Sequence, residues 1–173
     1  MPFDGNNQVI DVRYPADRIL SFVESEFPNA AALIGEPNLA PIAVYYRSVA
    51  GRLGTITPCL MITERQGAQR FGDHIAGAIQ IILEFFIDGG DTEQLVTDVS
   101  KYALVLEMIL ANLPFDIFKG GTMAGQEGRH QAFYLDAIET FYDQLRGATG
   151  NADAYRQILQ MRATFQVKAA PQL

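Results

Sequence analysis

Every odd-numbered residue from Ile75 to Ile87 is apolar (Ile75, Gly77, Ile79, Ile81, Leu83, Phe85, Ile87), a two-residue period held over thirteen positions. Such a period predicts a strand with one buried face. Gly89-Gly90 then breaks the pattern. From Asp91 onward apolar residues recur at Leu95, Val99, Tyr102, Leu106, Ile109 and Leu113, and these spacings of three and four predict an amphipathic helix. Asp91 and Gln94 fit a capping box at its start: the aspartate accepts from backbone amides, the glutamine reaches back, and Glu93 adds negative charge at the positive end of the helix dipole. Pro114 stops the helix. Ile75, Ile79, Ile82, Leu83 and Phe86 also fit a helical spacing, so the first segment has a competing reading.

Upstream, Pro15 opens a helix whose apolar face is Ile19, Leu20, Phe22, Val23 and Phe27; Pro28 is expected to end or bend it. A second short helical piece fits residues 29–34, with Gly35 placed to stop it. Ile42 to Val49 is rich in branched and aromatic residues and predicts a strand, as does Ile56 to Glu64, with Pro58 at the strand's start or on an edge. The polar stretch Arg65-Gln66-Gly67-Ala68-Gln69-Arg70 is expected to reverse the chain into the long strand. At about 3.3 Å per residue a thirteen-residue strand reaches roughly 43 Å. A compact domain of this size has a radius of gyration of only about 16 Å. One end of the hairpin, near Arg70 to His74, is therefore expected to overhang.

Phe115 to Gln131 is irregular and glycine-rich (Gly120, Gly121, Gly125, Gly128), which predicts a mobile loop. Tyr134 to Leu145 suits a helix face as well as an irregular strand, with strand preferred. After a turn at Gly147 to Asn151, Leu159, Met161, Ala163, Phe165 and Val167 alternate with polar residues and predict a half-buried strand, closing an antiparallel hairpin with the preceding segment. The expected class is α+β: one domain over residues 1–173, with an antiparallel or mixed sheet and a long hairpin packed against two or three helices.

Composition narrows the function classes. A chain with 49% hydrophobic and 19% charged residues reads as a folded domain. A net charge of −7, with no cluster of Lys or Arg longer than two, argues against a surface that grips nucleic acid by neutralising phosphates. Cys59 is the only cysteine, so no disulfide within the chain and no cysteine-based zinc site is possible, and a reducing compartment fits. The N-terminus lacks the basic and apolar regions of a signal peptide, and no apolar run is long enough to span a membrane.

No constellation points to catalysis. His74 and His130 have no partner at metal-binding spacing, and His74 is expected on the solvated side of the long strand. The stretch Phe118 to Gly125 superficially matches a phosphate loop, but no lysine and hydroxyl pair follows at Gln126-Glu127. Asp88, Asp91, Glu93 and Asp98 cluster in sequence, and their placement at a helix start accounts for them. Cys59 lies in an apolar strand context, where burial suppresses the thiolate. Neither an enzyme nor a cofactor or metal site is expected.

The order of elements carries more information than any side chain. With the run from His74-Ile75-Ala76-Gly77 to Leu83-Glu84-Phe85, then Gly90-Asp91-Thr92-Glu93-Gln94-Leu95 and Tyr102-Ala103-Leu104-Val105-Leu106, it resembles the tail terminator proteins of tailed bacteriophages over roughly Pro15 to Val167. The resemblance implies an α+β subunit assembled as a ring, commonly of six, that caps the tail tube and joins it to the head connector or stopper protein. It further implies a place in the virion neck or tail after assembly in the host cytoplasm, DNA passing through the lumen without specific binding, and no catalytic residues. Candidate interface residues are Arg65, Gln69, Arg70 and His74 at the hairpin, and Lys119, Thr122, Gln126 and Arg129 in the glycine-rich loop. Two other readings stay open: a head-completion or stopper protein of the same assembly, and a cytoplasmic α+β small-molecule-binding domain with the loop at 115–131 as its lid.

Overall fold

A computed structural model describes residues 13–47, 56–71, 74–114, 117, 132–146 and 153–169; of the side chains at 13–15, 66–71, 74–79, 132–134 and 166–169 nothing is said. The chain runs α1 (Arg13–Leu33), β1 (Val44–Arg47), β2 (Cys59–Phe71), β3 (His74–Gly89), α2 (Thr92–Ala111), β4 (Ala132–Arg146) and β5 (Tyr155–Ala169). The strands form one five-stranded sheet in the order β1-β2-β3-β5-β4, parallel between β1 and β2 and antiparallel elsewhere. It is a mixed-sheet α+β fold with two helices, as expected.

Pro28 does not end α1. It sits inside a continuous helix of 21 residues, and the residues expected to form a second helical piece are its last turns. A proline in a helix interior removes one backbone hydrogen bond and crowds the preceding turn. Here the apolar residues on both sides of it, Phe27, Ala30 and Ala31, are all buried in the core, and that burial offsets the local loss. Gly35 does stop the helix, at φ +84°, a backbone conformation favoured by glycine. The amide of Glu36 donates to the carbonyl of Ala31 (2.9 Å) and that of Gly35 to Ala32 (3.1 Å), which satisfies the terminal carbonyls in the Schellman manner.

The β2–β3 hairpin differs from expectation at its turn. Arg65 to Arg70 do not reverse the chain; they continue β2 and pair with Gln80 to Ile75 of β3. The last pair of the ladder is Phe71 with His74, and residues 72–73 lie outside the described residues. The polar stretch does not turn the chain because Gln66 to Arg70 can all occupy a ladder position. Three of the odd positions of β3 do face the core: Ile81, Leu83 and Phe85 are fully buried. Pairing with β2 on one side and β5 on the other rules out the helical reading of this segment. Strand β5 accompanies β3 from Gly89 to Ile75, so β3 is paired on that side along almost its whole length.

Both helices cover one face of the sheet. Ile19, Val23 and Phe27 of α1 and Val99, Tyr102, Leu106 and Ile109 of α2 enclose Leu60, Ile62, Ile81, Leu83, Phe85, Leu159, Met161, Ala163 and Phe165. Tyr102 sits at the centre. Its ring stacks on Phe85 (centroids 4.4 Å apart) and Phe27 (5.8 Å), and its hydroxyl donates to the carbonyl of Ala40 (2.7 Å). An aromatic with a polar tip can join a core to a loop in this way. At the start of α2, Asp91 Oδ1 accepts from the amides of Glu93 (2.9 Å) and Gln94 (3.2 Å), as expected for the cap. The other half of the expected box does not form: Gln94 Nε2 donates forward to Asp98 Oδ1 (2.8 Å), a partner one turn along the same face.

Candidate assembly surface

The face of the sheet opposite the helices has no described element packed on it. Its residues alternate with the core residues. Val44 and Tyr46 of β1, Cys59 and Met61 of β2, Phe86 of β3 and Ile158 of β5 form a second, smaller apolar cluster there. Cys59 is fully buried within it, and burial, the largest cause, pushes the thiol pKa up, with Asp88 adding and Arg156 opposing. This is the inert cysteine expected from its strand context.

Beside that cluster lies a polar network spanning three strands. Arg156 grips Asp88 with two hydrogen bonds, Nε to Oδ1 at 2.7 Å and Nη2 to Oδ2 at 2.8 Å, and stands over the Phe86 ring. The hydrogen bonds it donates to Asp88 are the main reason the guanidinium is raised further above its ordinary value. Further along, Gln160 donates to Glu84 (2.9 Å) and accepts from both Nε and Nη2 of Arg162, whose guanidinium lies 4.7 Å from the Phe141 ring centroid. Sequence reading attributed Asp88 to the charge balance of α2. Instead it neutralises an arginine 68 residues away, and no local spacing signals such a pair.

The sheet ends in two edges. One edge is β1, four residues long, continued by β2 from Thr63 to Phe71, which pairs with β3 alone among the described residues; β4 supplies the other, fifteen residues paired on one side with β5 and on the other with nothing among the described residues. β4 is the strand preferred by the sequence. It carries a bulge between Leu135 and Ala137 and is tied to α2 by Thr140 Oγ1, which donates to Glu107 Oε1 (2.8 Å). Its far half is exposed throughout from Phe141 to Arg146, with Phe141 at 45%, Tyr142 at 53% and Leu145 at 38%. Three large apolar side chains exposed on an edge strand form a combination that soluble monomers generally avoid.

A chain of the "Virion of native gene transfer agent (GTA) particle" is similar to this one, at 14% identity over 93% of this chain and 100% of that chain, with a TM-score of 0.49. No protein-family model matches the chain, and no curated protein matches it.

Of the residues expected at an interface, Arg65 alone has a described side chain. Arg65 is exposed on β2, opposite Gln80 of β3 and past Ile62, where the pairing of β2 with β1 ends. Gln69, Arg70 and His74 hold backbone positions in the β2–β3 ladder opposite Ala76, Ile75 and Phe71, and their side chains lie outside the described residues, as does the expected solvated placement of His74. Lys119, Thr122, Gln126 and Arg129, with nearly all of the expected mobile loop at 115–131, lie outside the described residues as well. Sequence reasoning missed Phe141, Tyr142 and Leu145 as surface residues. Their signal was present: apolar residues at both 141 and 142 cannot share one face of a strand, so one of them must leave the core. Among the described residues no group of three or more His, Cys, Asp and Glu could hold a metal ion, and no helix is long and apolar enough to cross a membrane.

Proposed function

We propose that this chain is a non-enzymatic structural protein of a phage-type virion. It acts as a tail terminator that caps the tail tube as a ring, six copies being the number the resemblance implies, and joins the tube to the head connector. The observation that carries the reading is the β4 edge, fifteen residues long, unpaired on its outer side among the described residues and carrying three exposed large hydrophobic side chains, Phe141, Tyr142 and Leu145. Such an edge is a template for another chain, and a protein that functions as an assembled ring has a use for it. The His74 to Phe85 strand and the capped helix after Gly90, which carry the sequence resemblance, form adjoining parts of one sheet-and-helix unit and support the same reading. The net charge of −7 suits a lumen through which DNA passes without adhering.

The test is native mass spectrometry of the purified protein, alone and mixed with the tail tube protein, followed by electron microscopy of tubes assembled with and without it. The expected result is a closed oligomer and tubes of defined length bearing a terminal ring. A protein that stays monomeric in both conditions rejects the proposal. A ring that binds the connector but not the tube reassigns it to a stopper role in the same neck.

A further inference from the structure

The register of the sheet says which surface of a second copy fits the β4 edge. Across the five strands, Tyr45 of β1 pairs with Leu60, Leu60 with Phe85, Phe85 with Leu159, and Leu159 with Tyr142 of β4. The next row runs Tyr46, Met61, Glu84, Gln160, Phe141 in the same way. The four-residue β1 edge, Val44 to Arg47, therefore stands at the same level of the sheet as Asp143 to Thr140 of β4. That window contains Phe141 and Tyr142, two of the exposed apolar residues of the edge.

Strand direction agrees with this level. β1 and β2 run together, β3 runs against them, β5 against β3 and β4 against β5, so β4 runs opposite to β1. A second copy brought beside β4 with its helices on the same side of the sheet, and without sliding along the strands, presents its β1 antiparallel to β4. The faces match too. Tyr45 packs on the helix-side core, and Leu159 opposite Tyr142 belongs to that core; Tyr46 packs in the cluster on the open face, and Gln160 opposite Phe141 belongs to the polar network there.

We infer that copies of this chain join head to tail through a sheet seam, β4 of one copy pairing antiparallel with β1 of the next, Tyr142 opposite Tyr45 and Phe141 opposite Tyr46. The seam rests on the proposed homo-oligomeric reading and specifies its interface. Each contact is heterologous, so every copy uses both its β1 and its β4, and a rotation that closes gives each copy two neighbours. Aromatic pairs directly across an antiparallel ladder are among the favourable cross-strand contacts. The short β1 covers only a four-residue window of the long β4, and the aromatic pair Phe141 and Tyr142 falls within it.

Disulfide trapping tests the seam. Residues directly opposite in an antiparallel ladder have Cα atoms about 4.5 or 5.5 Å apart, both within the range a disulfide spans. The double variants Tyr46→Cys/Phe141→Cys and Tyr45→Cys/Tyr142→Cys are each oxidised in the oligomer, with the wild-type chain and its buried Cys59 as the blank. The expected result is a ladder of cross-linked species up to the full ring, abolished by reductant, with no ladder from any single variant, because the two positions lie on opposite edges. Cross-linking by Phe141→Cys or Tyr142→Cys alone overturns the inference in favour of a two-fold β4 to β4 contact. An oligomer of native mass whose double variants fail to cross-link overturns the seam and leaves the oligomeric reading intact, whereas a strictly monomeric protein overturns both.

Discussion

Arg156 holds its charge at a position only 4% exposed, and two short hydrogen bonds to Asp88 make that placement possible. A buried charge that loses its partner is far more costly than the pair was favourable. Asp88→Ala is therefore expected to destabilise the fold by about 3 kcal/mol. Chemical denaturation reads this directly, and replacing both residues together with apolar ones should recover much of the loss. The core tyrosines make a second prediction, about pH. Burial, with Asp98 adding, pushes Tyr102 up to about 12; burial, with Glu24 and then Tyr102 adding, does the same to Tyr45. Each phenol is raised above its unfolded value of about 10. The folded chain then binds more protons than the unfolded chain between pH 10 and 12, and stability is lost as pH rises through that window. The melting temperature should fall steeply there, and a Tyr45→Phe/Tyr102→Phe variant should fall less. An equal slope in the variant would mean that other groups cause the loss.

Among the elements, those governed by one strong pattern were readable in advance. β3 and β5 alternate cleanly, with Ile81, Leu83 and Phe85 facing Leu159, Met161 and Ala163 on one side, and α2 repeats at three and four. β4 was harder because it is an edge: apolar residues lie on both of its faces, so no single period emerges. The turn was misplaced for another reason. A polar stretch with a glycine looks like a loop, yet Gln66 to Arg70 are held in strand by the register that the buried half of the hairpin imposes. The helix cap separates local from distant causes. Asp91 accepts two amide hydrogen bonds, so Asp91→Ala should cost about 1 kcal/mol. Gln94 does not close the box, and Gln94→Ala should cost only a few tenths. Thermal melts of the two variants distinguish this from a full capping box, in which the second loss approaches the first.

For the whole molecule, the asymmetry of the sheet matters most. One face is closed by two helices and the other carries a smaller apolar cluster and a polar network; one edge strand is four residues long and the other fifteen. The candidate site was only partly legible because an edge is a property of strand order. No pattern within β4 states that β5 pairs with both β3 and β4, or that β4 has no second neighbour among the described residues. Folding and assembly can consequently be separated by substitution. Tyr142 is more than half exposed, and a charged residue on an edge strand is a common means of preventing unwanted pairing. Tyr142→Lys should therefore leave the monomer's stability within about 0.5 kcal/mol of the wild type, as surface substitutions usually do. The same change should remove the oligomer, since a lysine would meet the next copy's apolar edge. Equilibrium unfolding and native mass spectrometry of one preparation measure both quantities. A variant that assembles like the wild type would show that the β4 edge does not join the copies. One that unfolds outright would show that Tyr142 belongs to the core.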